Sequence, residues 1–411
     1  MGLYALIHNS NVYIIMKKNM VDIKRIVLML MVLAASTDAF AQYEAQVPDD
    51  MMNLEYALKA DSMGRRILVD KGSYATAIEL FKRSSTIYRR LNGNTDGNYV
   101  NAMALLAKSY VRNEQVQDAI KVTEKLLGDL ESQKQTSDYA IILDNLSFYY
   151  AMANETAKAL EASKEVLKIC ENADMPDDDL SSILIHAAEN YSAMNEHAEA
   201  IRLQLRALDR IHQAYGLGSE KYIEELKYLQ QYYEKDGQAS KASKTAETIE
   251  SLEKPGGGVR PVEELSSVED CTYHRGDAYW CAEYFLTHSL SATNAIQAGQ
   301  YVTTWCIKTD ELNIEIDDCH MKCIGDCPTE LNAYMCGCVI LGQSNHVKKL
   351  TREMERQAMV WTVRHYNHNR NILVKTSPEM DKLNEYLEKG TLEEHLLELL
   401  PDKENVEPAT K

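Results

Sequence analysis

From residue 50 to residue 254 the chain repeats one pattern of apolar and polar positions. Met103, Leu106, Ala107 and Tyr110 are followed by Ala119, Thr123 and Leu126; Leu143, Leu146, Ser147 and Tyr150 are followed by Ala159, Ser163 and Val166. The order returns at Leu184, Ala187, Ala188 and Tyr191 with Ala200, Gln204 and Ala207, and at Leu226, Leu229, Gln230 and Tyr233 with Ala242, Ala246 and Ile249. Large residues at i, i+3 and i+7 with a small or polar residue at i+4 define one face of an α-helix. The polar links that follow, such as Arg112-Asn113-Glu114-Gln115 and Glu234-Lys235-Asp236-Gly237, are short enough only for an antiparallel helix pair.

Five alanines, Ala77, Ala119, Ala159, Ala200 and Ala242, recur at intervals of 42, 40, 41 and 42 residues, and the last four stand nine residues after a tyrosine. Small and aromatic residues in constant phase at such a period mark stacked supersecondary units. A methyl side chain at the recurring position lets the second helix of a pair approach the first. The first unit has Leu68 at the tyrosine position, followed by Gly72, Tyr74, Ala77 and Phe81. This pattern resembles the tetratricopeptide repeat (TPR), whose common period is about 34 residues. The longer spacing, and the run from Arg206-Ala207-Leu208 through Tyr215-Gly216 to Glu220-Lys221-Tyr222, resemble the long-period subclass seen in kinesin light chains.

The resemblance implies an all-α fold over residues 42–254, a right-handed α-α superhelix whose first helices line a concave face that binds a protein or peptide. By phase, Asn101, Lys108, Arg112, Asp144, Phe148, Glu189, Lys227 and Gln231 belong to that face. Phe148, one of four phenylalanines in the chain, is the candidate anchor for a partner side chain. The family's terminal-carboxylate clamp, a Lys and an Asn one turn apart, is not reproduced by Ala104/Lys108, Asp144/Phe148, Ile185/Glu189 or Lys227/Gln231.

Between Lys254 and Pro261 three consecutive glycines between two prolines interrupt the pattern, so residues 255–265 read as a flexible linker. No Lys-Ser/Thr follows to make the glycines a phosphate loop. Residues 266–375 resume helical periodicity at Ala278–Leu290, Ser291–Ile307, Glu330–Leu341 and His346–Asn369, a cysteine-rich helical module of divergent repeats that extends the solenoid. Residues 376–411 form an acidic C-terminal tail with an amphipathic segment from Leu383 to Leu400.

Composition agrees with long helices: 8 Pro and 18 Gly in 411 residues leave few interruptions. Tyrosine (24) greatly outnumbers phenylalanine (4), which suits helix seams that are only partly dry. A net charge of −18 with no basic stripe excludes nucleic acid as the partner. At the N-terminus, Lys17, Lys18, Lys24 and Arg25 precede an apolar run from Ile26 to Ala35, and Ala39-Phe40-Ala41 offers a cleavage site before Gln42. Residues 1–41 therefore read as an N-terminal extension and signal peptide, with Met16 or Met20 the better start, and the chain as exported, periplasmic or secreted. The apolar run falls short of the about 20 residues of a membrane span, so no stable membrane insertion is expected after cleavage.

Eight of nine cysteines, Cys271, Cys281, Cys306, Cys319, Cys323, Cys327, Cys336 and Cys338, fall within 68 residues. In an exported chain such a set reads as disulfides. The alternative is a metal site: Cys319, Cys323 and Cys327 at i, i+4 and i+8 would share one face of a continuous helix, although their C-x3-C spacing is not the usual C-x2-C and Gly325 and Pro328 oppose the helix. Cys336-Gly337-Cys338 lacks the C-x2-C spacing of a redox pair. His365 and His368 with Glu355 upstream form a weak ligand pattern and read as a solvated face. No nucleophile elbow or Gly-rich nucleotide loop stands out. The expectation is an exported scaffold without catalytic activity, cofactor or metal, binding another protein or peptide. The alternative is a TPR arm that recruits a C-terminal Cys/His-rich metal-binding or small catalytic module.

Overall fold

The computed structural model describes residues 45–402 except 174 and 374. The expected signal peptide over 1–41 lies outside the described residues. Among the described residues the secondary structure is helical, with one isolated parallel bridge between Asn313 and Lys349. The chain divides into two compact units, Met1–Ala173 and Asp174–Lys411.

The described residues of the first unit form three helix pairs: α1 (Leu54–Val69) with α2 (Tyr74–Asn92), α3 (Gly97–Arg112) with α4 (Val116–Asp129), and α5 (Ser137–Met152) with α6 (Thr156–Cys170). Each pair also packs on the next through α2–α3 and α4–α5. Polar side chains at the N-caps start these helices. Asn53, Ser73, Asp96 and Thr136 each accept a hydrogen bond from a backbone N–H of the first turn, satisfying a donor that the helix itself leaves free.

The recurring alanines are buried between the helices of their pairs. Ala77, Ala119, Ala159 and Ala200 have 0% exposure and Ala242 has 5%. Gly64 of α1 serves the same purpose opposite α2, since a Cβ there would stand 2.7 Å from the Phe81 ring.

A second periodicity accompanies the alanines. Glu114, Asn154, Asn195 and Gly237 hold left-handed φ of 61°, 60°, 63° and 75°, each five residues before a recurring alanine. The N–H of the following residue bonds the carbonyl of the recurring tyrosine: Gln115 to Tyr110, Glu155 to Tyr150, Glu196 to Tyr191 and Gln238 to Tyr233, at 2.8–2.9 Å. Each first helix thus ends in a Schellman-like turn that reverses the chain. In the first repeat the equivalent bond runs from Gly72 to Ile67, beside a left-handed Lys71. One extra turn residue shifts the register, so Ile67, and not Leu68, holds the tyrosine position there.

The second unit begins with two more pairs, α7 (Asp177–Ala193) with α8 (His197–Tyr215) and α9 (Glu220–Lys235) with α10 (Ala239–Leu252). It continues with α11 (Val268–Tyr273), α12 (Arg275–Thr287), α13 (Ala295–Lys308), α14 (Asp318–Ile324), α15 (Pro328–Ser344), α16 (Arg352–Asn369), α17 (Pro378–Glu388) and α18 (Leu392–Leu399). Helix α12 is the hub, packing on α8, α13, α15 and α16. The tail segment also folds: Met380, Leu383, Leu392, Leu396 and Leu400 enter the same apolar core as Phe285, Trp305 and Tyr366. Two connections here reuse the repeat turn, Thr391 bonding Tyr386 and Val347 bonding Gly342, with Gly390 and His346 left-handed.

The glycine run is packed, which corrects its reading as a flexible joint. A Cβ on Gly257 would stand 3.0 Å from the Leu252 Cα, and one on Gly258 3.1 Å from the Trp280 ring. The side chain of Asn294 donates to the Gly256 carbonyl at 3.0 Å. These glycines permit close backbone approach inside the second unit.

Candidate functional site

The residues assigned by phase to a concave face fall on first helices of their pairs, as the periodicity requires. In the first unit, Asn101, Lys108 and Arg112 are exposed along α3, Phe148 of α5 is half-buried against Tyr149 (ring centroids 6.2 Å apart), and Asp144 is buried. In the second unit, Glu189 of α7 is half-buried, and Lys227 and Gln231 of α9 are exposed. Lys227 pairs with Glu253 at 2.7 Å. The structure therefore brings Asn101, Lys108 and Arg112 together as a polar stripe, while Asp144 faces inward.

The second unit holds a cleft of about 800 Å³ between the α7–α8 pair and the cysteine-rich helices. Tyr215, Arg275, Tyr279, Glu311, His346 and Lys348 are among the residues that line it, so both charge signs and two phenols face the same space. Tyr215 donates to Asp178 at 2.7 Å on its rim.

Deeper in the same junction two histidines converge on one carboxylate. His212 in the last turn of α8 places Nε2 2.7 Å from Asp277 Oδ2, and His274, the residue before α12, places Nδ1 2.8 Å from the same oxygen. Asp277 Oδ1 accepts the Leu217 N–H at 2.9 Å. Asp277 is fully buried; its hydrogen bonds from both histidines hold the carboxyl below its usual range against the opposing effect of burial. Tyr273 meets the edges of both imidazoles and donates to Asp209. Sequence reading missed this group because His212 lies 62 positions before His274. The only local signal is the i, i+3 spacing of His274 and Asp277.

The cysteines lie elsewhere. The eight cysteines expected to pair are free thiols in the structure. Cys271, Cys281, Cys323, Cys336 and Cys338 are buried in the apolar core, with Cys306 and Cys319 packed against it. Burial pushes the thiols of Cys323 and Cys327 up, to about 12 and about 11. Buried in this way, these thiols pack as small apolar side chains. Cys319 and Cys323 sit on α14, which ends at Gly325 (φ 67°), whereas Cys327 caps α15, so the three do not share one helix face.

His365 is buried as well, not on a solvated face: it stacks on Phe285 with ring centroids 4.6 Å apart. Near α14, Arg352 bridges Asp317 at 2.9 Å and Glu355 at 2.7 Å beside the buried His320. The Asp317 carboxyl lies well below the usual range because Arg352 and the His320 backbone and ring bond it, which outweighs its partial burial.

No protein-family model matches this chain, and no curated protein matches it. Solved structures do. A Podosopora anserina putative kinesin light chain with nearly identical TPR-like repeats aligns with 51% of this chain and 97% of its own at 17% identity, with a TM-score of 0.42. BtubC (BKLC) from P. vanneervenii aligns with 50% of this chain and 91% of its own at 16% identity and TM-score 0.39. MamA aligns with 48% and 91% at 18% identity and TM-score 0.36. These neighbours are TPR-like repeat proteins, and at such similarity they assign neither partner nor activity to this chain.

Proposed function

We propose that this chain is an exported scaffold of TPR-like helix pairs that binds another protein or peptide and performs no catalysis of its own. The observation that carries the reading is the side-chain allocation along α3. Tyr99, Ala102, Met103, Leu106, Ala107 and Tyr110 are spent on packing, while Asn101, Lys108 and Arg112 are left facing solvent along one stripe. Seven- and four-residue spacings place these three along one helix face over about three turns, a length suited to an extended peptide segment or a partner helix. At this face Lys108 and Arg112 favour an acidic segment of the partner, while the acidic balance of the whole chain, net −18, favours basic character elsewhere on it.

The test is affinity capture from the exported fraction with the full chain and a Lys108→Ala/Arg112→Ala variant of equal thermal stability. Loss of the specifically captured protein from the variant supports the scaffold reading. Identical capture by both chains counts against the α3 stripe as the binding face. Export has its own readout, since cell fractionation and N-terminal sequencing should find a mature chain that starts at Gln42; an intracellular chain retaining residues 16–41 would overturn it.

A further inference from the structure

We propose that His212, His274 and Asp277 form a binding site for a transition-metal dication of the zinc class. The inference stands apart from the scaffold reading, because neither a partner nor the α3 stripe enters it. Among the described residues this is the one group of three or more His, Cys, Asp or Glu whose ligand atoms all lie within 4.8 Å of one another.

The donor set and its supports suit such an ion. Two imidazole nitrogens and one carboxylate oxygen are a ligand combination zinc takes readily, and the nitrogens select against magnesium and calcium, which prefer oxygen. Metal–ligand bonds of about 2.0–2.2 Å in tetrahedral geometry need ligand atoms roughly 3.3–3.6 Å apart. His212 Nε2 and His274 Nδ1 stand 2.7 and 2.8 Å from Asp277 Oδ2, so the oxygen–nitrogen distances need to open by less than about 1 Å.

The surroundings support two of the three donors. The other ring nitrogen of His274 faces Glu264 at 3.9 Å, and Arg260 holds that carboxylate in a two-pronged pair. The Leu217 N–H orients Asp277 through its second oxygen. An outer carboxylate behind a ligating imidazole orients the ring and raises its basicity. Three protein ligands leave a fourth position for water. Because His212 belongs to α8 and Asp277 to α12, the ion would tie the repeat helices of the second unit to its cysteine-rich helices.

The experiment uses the full chain, stripped with EDTA and dialysed, then titrated calorimetrically with zinc chloride and separately with magnesium chloride. The expected result is saturable binding of one zinc per chain with no magnesium binding. Cobalt should give ligand-field bands without a thiolate charge-transfer band. His274→Ala should lose the stoichiometric zinc, Glu264→Gln should bind about 10-fold more weakly, and Cys319→Ser should bind as the parent does. Circular dichroism checks that each variant is folded, and the cobalt spectrum of the parent decides the matter should His274→Ala fail to fold. Absence of saturable zinc binding would overturn the proposal. So would a thiolate charge-transfer band, which would move the ion to the cysteines, or undiminished zinc in a folded His274→Ala.

Discussion

A Cβ added to Gly216 would stand 2.7 Å from the carbonyl oxygen of Gly276, so the exit of α8 and the entry of α12 touch backbone to backbone. The contact is reciprocal: a Cβ on Gly276 would meet the His212 carbonyl oxygen and the Tyr215 nitrogen at 2.6 Å. Backbone atoms cannot rotate aside as a side-chain end can. Gly276→Ala should therefore cost about 3 kcal/mol, the upper part of the range for overpacking. Gly97 provides the control, with no positive φ and nothing within 4 Å, so Gly97→Ala should change stability by no more than about 1 kcal/mol. Urea unfolding of the full chain measures both. Equal losses would show that α8 and α12 can separate without penalty.

The repeat turns make a prediction of opposite sign. Glu114 occupies the left-handed position that Gly237 occupies in the fifth pair. A side chain there strains the backbone by about 1–2 kcal/mol, partly offset by the greater freedom that glycine has in the unfolded chain. Glu114→Gly should stabilise the protein by roughly 0.5–1 kcal/mol, and Gly237→Ala should destabilise it by about 1 kcal/mol. Asn154→Gly should change little, since asparagine tolerates this conformation. A destabilised Glu114→Gly in thermal melts would mean the side chain holds the turn by some other interaction.

That turn position shows what was legible in the sequence. The recurring Ala and Tyr could be read because burial and close packing accept few residue types at those phases. The left-handed residue recurs just as regularly but as Glu, Asn, Asn and Gly, so its period is invisible to a search for like residues. Packing in the first repeat was misread by one position, Leu68 for Ile67, because the turn there holds one more residue. The exposed stripe on α3 followed from helical phase alone, and the inward Asp144 did not. His212 and Asp277 were out of reach for a different reason. They meet only because α12 folds back on α8, a long-range contact that no local spacing encodes.

The glycine run 256–258 and the cysteine cluster share a lesson about composition. Three glycines in a row indicate freedom in an isolated segment, but here each replaces a side chain that Leu252, Trp280 or Asn294 would exclude. Clustered cysteines indicate bridges in an exported chain, but burial lets them act as apolar filler. Alkylation tests this directly. In the native chain Cys170 and Cys319, both half-buried, should react first, and Cys281, Cys336 and Cys338 should be protected until unfolding. Unfolding without reductant should then yield nine adducts by mass, one for each cysteine. Every deficit of two would reveal a bridge and restore the disulfide reading for that pair.

His365 ties stability to pH. Its ring is buried against Phe285, and burial, with a smaller repulsion from His368, pulls its pKa down from 6.5 to about 4. In the unfolded chain the imidazole takes up a proton as pH falls below about 6.5, while the folded chain refuses it until about 4. Unfolding therefore binds protons across this window, and the group's contribution is complete above pH 6.5 and lost progressively as pH falls toward 4. The shift corresponds to about 3 kcal/mol. His365→Phe keeps a ring in the stack and removes the titration, so its stability should fall less than that of the parent between pH 7 and pH 4.5 by about 2–3 kcal/mol. Parallel acid profiles for the two chains, measured by urea unfolding at each pH, would mean that His365 is solvated and titrates normally in the folded protein.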